Sequence, residues 1–416
     1  MAIYYIDPEG GQASAAGLSE SAPRASVVGL TLRGGDSVLF KRGSVIRDAV
    51  HSVSGEEGRP IFYGAYGEGD DPVFMGSVDV SGAESWVSAG ENLWRCTRPL
   101  ATECCNLIFD GREGGALQWD KTDLSENGDW WDSGFGTDVE SPDAHETILY
   151  CDCNPGLKYG HIEAALRVHR ELAKTGHDMI FEHLTFRNAG VHAIAGGGPS
   201  RNMIVRACRF EFIGGSVWSK KLHIRFGNGV ECWNTGENIL VEDNVFYEIY
   251  DSAVTHQGGK ECVAAQDFVI RRNVFIRCGM AAYEQRDVLP LSAEFVNNVC
   301  MDAGRGFSHR HTTLPRQSEI WPQPMGHHIF LWRIEQPTEG ARFIIKRNLF
   351  LDAPAGAAIY SIICRAAEEQ IDIDENTYQM RERTLVNRYF GEDFATFAAY
   401  AAATGKDGRS AAYGEA

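Results

Sequence analysis

The residues best suited to move protons in this chain are Glu231, Asp251, His256 and His309, with Arg225, Asn228 and Arg310 close to them in sequence. A carboxyl or imidazole transfers a proton only when it stands within hydrogen-bond reach of the reacting atom. The arginines and the asparagine supply donors able to hold a substrate there. No metal is expected, because His309 to His311 and the pair His327–His328 have no carboxylates at matching spacing. Cys104–Cys105 and Cys151–Cys153 lack the spaced pairs and nearby histidines of a zinc site. No other cofactor is implied. The four proton-transfer candidates are spread from 231 to 309, so they form one site only if the chain returns repeatedly to the same place.

Internal repeats supply that return. The run Leu240–Phe246 recurs as Val269–Phe275, Glu294–Cys300, Ile344–Phe350 and Ile371–Tyr378, with degenerate copies at Ile180–Phe186 and Ile204–Phe210. Aligned, they put Leu184, Cys208, Asn244, Asn273, Asn298, Asn348 and Asn376 in one column, with steps of 24, 36, 29, 25, 50 and 28 residues. Each copy is an alternating strand, a turn residue and a further apolar residue, which suits parallel strands stacked coil on coil around a shared core. The asparagine column is read as structural: at a bend, Asn tolerates left-handed backbone angles and bonds its counterpart in the next coil.

With 416 residues, 44% apolar and 23% charged, the chain can bury a large core. Its net charge of -18, without a basic run of five or more, opposes a nucleic-acid partner. Apolar runs are interrupted by charge too often for a spanning helix, so no membrane partner is expected. The opening Met1–Asp7 shows no basic stretch followed by an apolar one. The protein is expected in the cytoplasm, or secreted or periplasmic if a signal has been removed. Most of the 11 cysteines fall in apolar strand-like runs and read as buried thiols rather than a disulfide scaffold.

The segments Tyr4–Gly11, Gly17–Pro23, Gly35–Gly43 and Pro60–Gly67, together with the repeats, resemble the pectate-lyase-like right-handed parallel β-helix superfamily. The resemblance covers most of the chain and implies an all-β, right-handed parallel β-helix. It also implies a poly- or oligosaccharide partner; the superfamily spans hydrolases, lyases, epimerases, esterases and non-catalytic adhesins, so the reaction must be argued from the site. A single domain over 1–416 is expected, with N-terminal coils to about residue 100 and a groove-lining insertion at 107–160. A short helix at 390–405, with an acidic N-cap and Gly405 as its stop, would cover the open end of the solenoid.

Aligning the later strands on Ile194, Val230, Val254, Phe307 and Ile359 brings Glu231, His256 and His309 into neighbouring coils. Two long steps leave the solenoid beside them and carry Trp218 and Trp321; with Trp130 and Trp131 from the insertion, these rings would wall a groove and stack on sugars. Glycoside hydrolysis needs one carboxyl to protonate the leaving oxygen and another to activate water or attack carbon. Glu231 and Asp251 are the best pair, although ideal strands would separate them by about 13 Å unless the chain bends at Tyr250–Asp251. A lyase or uronate epimerase would instead draw its base and its carboxylate-neutralising groups from Arg225, His256, His309 and Arg310. Neither the Arg-x-Pro-x-x-Arg motif of lyases on this fold nor the polygalacturonase-type set is present. Hydrolysis is the preferred reading; a lyase or epimerase, or a non-catalytic carbohydrate-binding solenoid, is the alternative.

Overall fold

Short alternating strands present one row of side chains inward and the next outward, and here they stack into three long sheets. The computed structural model describes residues 1–136, 145–167, 171–196, 198–309, 324–363, 369–380, 385–389 and 392–414. Two of the long sheets have 10 strands each, paired in parallel throughout, and the third has nine, parallel until its last pair. One coil shows the plan: Glu237–Glu242 lies in the first sheet, Val245–Ile249 in the second and Ser252–Gln257 in the third. The chain is thus the expected all-β parallel β-helix.

Inward rows fill the bore. Phe186, Phe210, Phe246 and Phe275 stack on one another with centroid separations of 5.2, 4.4 and 5.0 Å. Full burial of each ring contributes roughly 1.5–3 kcal/mol. At the corner between the first two sheets, Asn244, Asn273, Asn298 and Asn348 each donate Nδ2 to the Oδ1 of the next asparagine, at 3.0–3.2 Å. Their backbone N–H groups reach the same oxygens. The ladder is as expected, but the left-handed backbone sits one residue earlier, on Ala207, Asp243, Arg272, Asn297, Arg347 and Glu375, with φ between 51° and 59°. Outside this corner, Glu242 receives Arg271 and Arg272 at 2.8 and 2.6 Å.

Between Val73–Met75 in the second sheet and Glu171–Lys174 in the third, the chain leaves the helix. It builds a four-stranded and a five-stranded sheet around a separate core that includes Trp86, Leu107, Trp130, Leu149 and Ile162. This excursion starts by Ser77, well before residue 107, because Ser77–Asp79 pairs with Ile162–Leu166 and Leu93–Cys96 pairs with both Trp86–Gly90 and Thr147–Tyr150. Alternation alone does not reveal a strand's partner, so these strands read as ordinary coils. The excursion's strand Cys104–Phe109 is buried throughout and seats Ile108 against Phe212, Tyr250 and Phe307.

The C-terminal helix spans Phe397–Thr404, shorter than 390–405. Thr396 Oγ1, rather than an acidic residue, caps it by accepting from the Ala399 N–H, while Asp393 belongs to the strand Glu392–Phe394. Gly405 ends it at φ 67°. Phe397 packs on Tyr378 at 5.4 Å and Tyr400 is fully buried, so the helix closes the end of the core. The described cysteines form no disulfide, and no helix among the described residues is long and apolar enough to cross a membrane.

Candidate active-site cleft

A cleft of about 2040 Å³ runs over the third sheet. Its floor comes from Val230–Trp233, Ser252–Gln257, Ala281–Arg286 and Ile329–Trp332, which stack in that order. Register aligns Glu231, Thr255, Glu284 and Phe330 across these strands. Two positions further along, and therefore on the same side, stand Trp233, Gln257, Arg286 and Trp332. One wall is the hairpin Ser216–Ser219 with Ile224–Phe226, the form taken by the 36-residue step. Trp119 of the excursion braces this hairpin by stacking on His223 at 4.7 Å.

Glu231 Oε2 accepts Asn228 Nδ2 and Gln257 Nε2, both at 2.7 Å. No hydrogen bond reaches Oε1 among the described residues, so that oxygen is left for a ligand. Asn228 can serve here because Gly227 and Gly229 flank it. A Cβ on Gly227, at φ 141°, would lie 2.2 Å from Gly214 Cα, and one on Gly229 would lie 2.5 Å from the Ala253 carbonyl. His192 Nδ1 stands 3.8 Å from Glu231 Oε2 but accepts the Asn228 backbone N–H at 3.1 Å. That nitrogen is a hydrogen-bond acceptor and brings no proton to the carboxylate.

Asp251 precedes the strand Ser252–Gln257 at the bend and lines the same cleft. Its neighbour Ser252 donates from the backbone to Asn228 Oδ1 at 3.0 Å and from Oγ to Glu284 Oε2 at 2.9 Å. Trp332 Nε1 donates to the other oxygen of Glu284 at 2.7 Å. Burial pushes the Glu284 carboxyl above its ordinary range, and the Asp251 charge adds to this against the opposing Arg286. A continuous network thus links Gln257, Glu231, Asn228, Ser252, Glu284 and Trp332 across the cleft floor.

The structure brings Glu231, Asp251, Asn228, Arg225 and Trp218 to the cleft. Arg225 braces the site more than it offers donors: Nε and one Nη go to the Gly215 and Cys105 carbonyls, and its guanidinium covers the Tyr250 ring at 4.4 Å. His256 does not join them. It alternates with Thr255 toward the core, bonds Gln285 at 2.8 Å and is held down to about 4 by burial. His309 ends a 3₁₀ turn, Phe307–His309, and does not line the cleft. The strand of that coil is Ile329–Trp332, not the Phe307 segment. Trp130 is buried in the excursion core and Trp131 packs beside it, so neither reaches the cleft. Arg310 and Trp321 lie outside the described residues. His327 and His328 are buried and bond the Ala358 and Asp352 carbonyls.

Sequence reasoning missed His192, Gln257, Glu284, Arg286, Trp233 and Trp332. Glu284 and Trp332 were legible only after identifying Ile329–Trp332 as the next strand. Trp233 and Gln257 follow from period two, counted on from Glu231 and Thr255.

Fold and cleft together define a parallel β-helix protein with a carboxylate-bearing groove. No protein-family model and no curated protein matches the sequence. Among solved structures, the chain is similar to a complex of XylC with xylose, at 13% identity over 92% of this chain and 67% of that one, with a TM-score of 0.49. It is also similar to a GH136 lacto-N-biosidase from Eubacterium ramulus, at 14% identity over 99% and 68% of the two chains, TM-score 0.48. An alginate lyase from Paenibacillus sp. is 12% identical over 91% and 92%, TM-score 0.30. The functional reading therefore rests on the residues of the cleft.

Proposed function

We propose that the protein is a carbohydrate-active enzyme that hydrolyses glycosidic bonds in a poly- or oligosaccharide, with Glu231 and Asp251 as its proton-transferring carboxyl groups. The observation that carries this reading is Glu231 itself: a carboxylate on the cleft floor, fixed through Oε2 by two amides, with Oε1 unbonded. Glu231 Oε1 takes a proton from the attacking water, and Asp251, one coil on, gives one to the leaving oxygen. Trp218 and Trp233, 63% and 44% exposed, supply apolar faces for sugar rings. The base set of a lyase loses support, because His256 faces the core and two Arg225 donors are bound to carbonyls. A glycan panel read for both reducing-sugar release and absorbance of an unsaturated uronate tests the proposal. Hydrolysis gives the first signal alone; the second signal, or neither, would overturn it.

A further inference from the structure

The proton-transfer chemistry does not use two arginines at one end of the cleft. Arg286 and Arg333 both line it. Each turns Nε to the same carboxylate: Arg286 Nε lies 3.3 Å from Asp287 Oδ2, and Arg333 Nε lies 3.3 Å from Asp287 Oδ1. Their Nη groups make no hydrogen bond to a described residue. Asp287 thus grips both guanidinium groups by one edge and leaves the others open. The heads are also stacked in place. Arg286 lies 5.5 Å from the Trp332 ring and 6.0 Å from the Trp233 ring, and Arg333 lies 5.8 Å from Trp332. Trp332 is itself fixed, parallel to Phe330 at 5.4 Å and bonded to Glu284 through Nε1.

Asp287 alone forms ion pairs with both guanidinium groups, one carboxylate against two cations, in a chain whose net charge is -18. The Arg286 side chain is only 19% exposed, yet neither of its Nη groups is a sealed, unpartnered atom, so both face the space of the cleft. Arg225, on the same cleft, shows the contrasting structural use, with its donors bound to carbonyls.

The geometry points to a subsite in which Arg286 and Arg333 bind the carboxylate of a sugar acid, so the substrate is a uronate-containing saccharide. This rests on the reading of the cleft as a saccharide site. Planar guanidinium edges match a carboxylate with two parallel N–H···O bonds, and the exposed Trp233 beside Arg286 offers a face for the sugar ring. Arg286 belongs to the strand two steps from that of Glu231, on the order of 10 Å away along the helix axis. The acidic unit therefore lies beside the scissile bond rather than at it.

Calorimetric titration of the whole protein with oligogalacturonate, oligomannuronate and oligoglucuronate, a neutral galactose oligosaccharide and a sulfated one tests the assignment. At least one oligouronate should bind more tightly than the neutral and sulfated sugars. Arg333→Gln, at a side chain 61% exposed and so tolerant of change, should weaken that binding about tenfold without altering neutral-sugar binding. Arg286→Gln should do the same. Unchanged oligouronate binding in Arg333→Gln, no oligouronate binding at all, or preference for the neutral or sulfated sugar would overturn the subsite. Run in the Glu231→Gln background, the titrations are free of turnover by the proposed chemistry, so binding stands or falls apart from hydrolysis: tight oligouronate binding there, without reducing-sugar release by the wild type, would reject the proposed reaction and keep this subsite.

Discussion

Glu231 and His256 lie in adjacent strands, yet Glu231 pairs with Thr255 while His256 pairs with Cys232. One position along a strand reverses the facing of a side chain, so the carboxylate meets the cleft and the imidazole meets the core. The identity of Glu231 was legible in the sequence because Val230 fixes the inward phase. The same phase assigns His256 inward, and grouping it with Glu231 because their coils are neighbours overrode that period. Gln at position 231 retains the shape and loses the titratable group. Glu231→Gln should therefore reduce hydrolysis by at least roughly 100-fold while the melting temperature stays close to wild type. A variant with undiminished turnover on the same glycan would remove Glu231 from the chemistry.

At the scale of the coil, the asparagine ladder was legible because the strand motif around it recurs and five of its seven positions carry Asn, although the steps between them vary. What stayed hidden was the coil after Ala281–Arg286. Its third-sheet strand, Ile329–Trp332, comes late in the 50-residue step, and the apolar Phe307 earlier in that step stands in a 3₁₀ turn where an inward strand residue was expected. Two tests belong here. Asn298→Ala deletes a side chain that links Asn273 and Asn348 and leaves buried groups unpaired. It should cost about 1–3 kcal/mol, measured by denaturant unfolding. Ala207 holds φ 51° with a Cβ. Ala207→Gly should relieve that strain and raise stability by up to about 1 kcal/mol, since left-handed backbone costs an L-residue roughly 1–2 kcal/mol and glycine's extra freedom offsets part of the gain. A loss of stability would mean that the corner does not store strain.

For the molecule as a whole, three buried imidazoles set an acid limit. Burial holds His256, His327 and His328 down to about 4, 3 and 4, against an ordinary value of 6.5. The folded state thus binds fewer protons than the unfolded chain, and the stability these groups contribute is full above 6.5 and is lost as pH falls toward 4. Asp132, pushed up to about 6 by burial, acts with the opposite sign and favours the fold below that value. Glu248, Glu284 and Asp407, also raised by burial, act with the sign of Asp132, so the effect of one ring is read by difference: between pH 7 and pH 4 the wild type should lose more stability, or gain less, than His256→Gln. A stability difference between the two that does not change with pH would contradict the burial of the His256 ring. The excursion that begins by Ser77 was the least legible part of the molecule, because its strands alternate as the coils do and only pairing separates them.

The coil-to-coil hydrogen bonds also have a mechanical consequence. They lie along the helix axis, so tension between the two ends loads the outermost coil almost alone, and the chain should peel away in steps. Each step frees one turn, such as the 25 residues from Asn273 to Asn298, or about 85 Å of extended chain. Tension across the axis instead loads many turns at once. The corner where every asparagine grips the next by both its backbone and its side chain would be the last part of each turn to let go, giving the molecule a seam that is soft end to end and stiff from side to side.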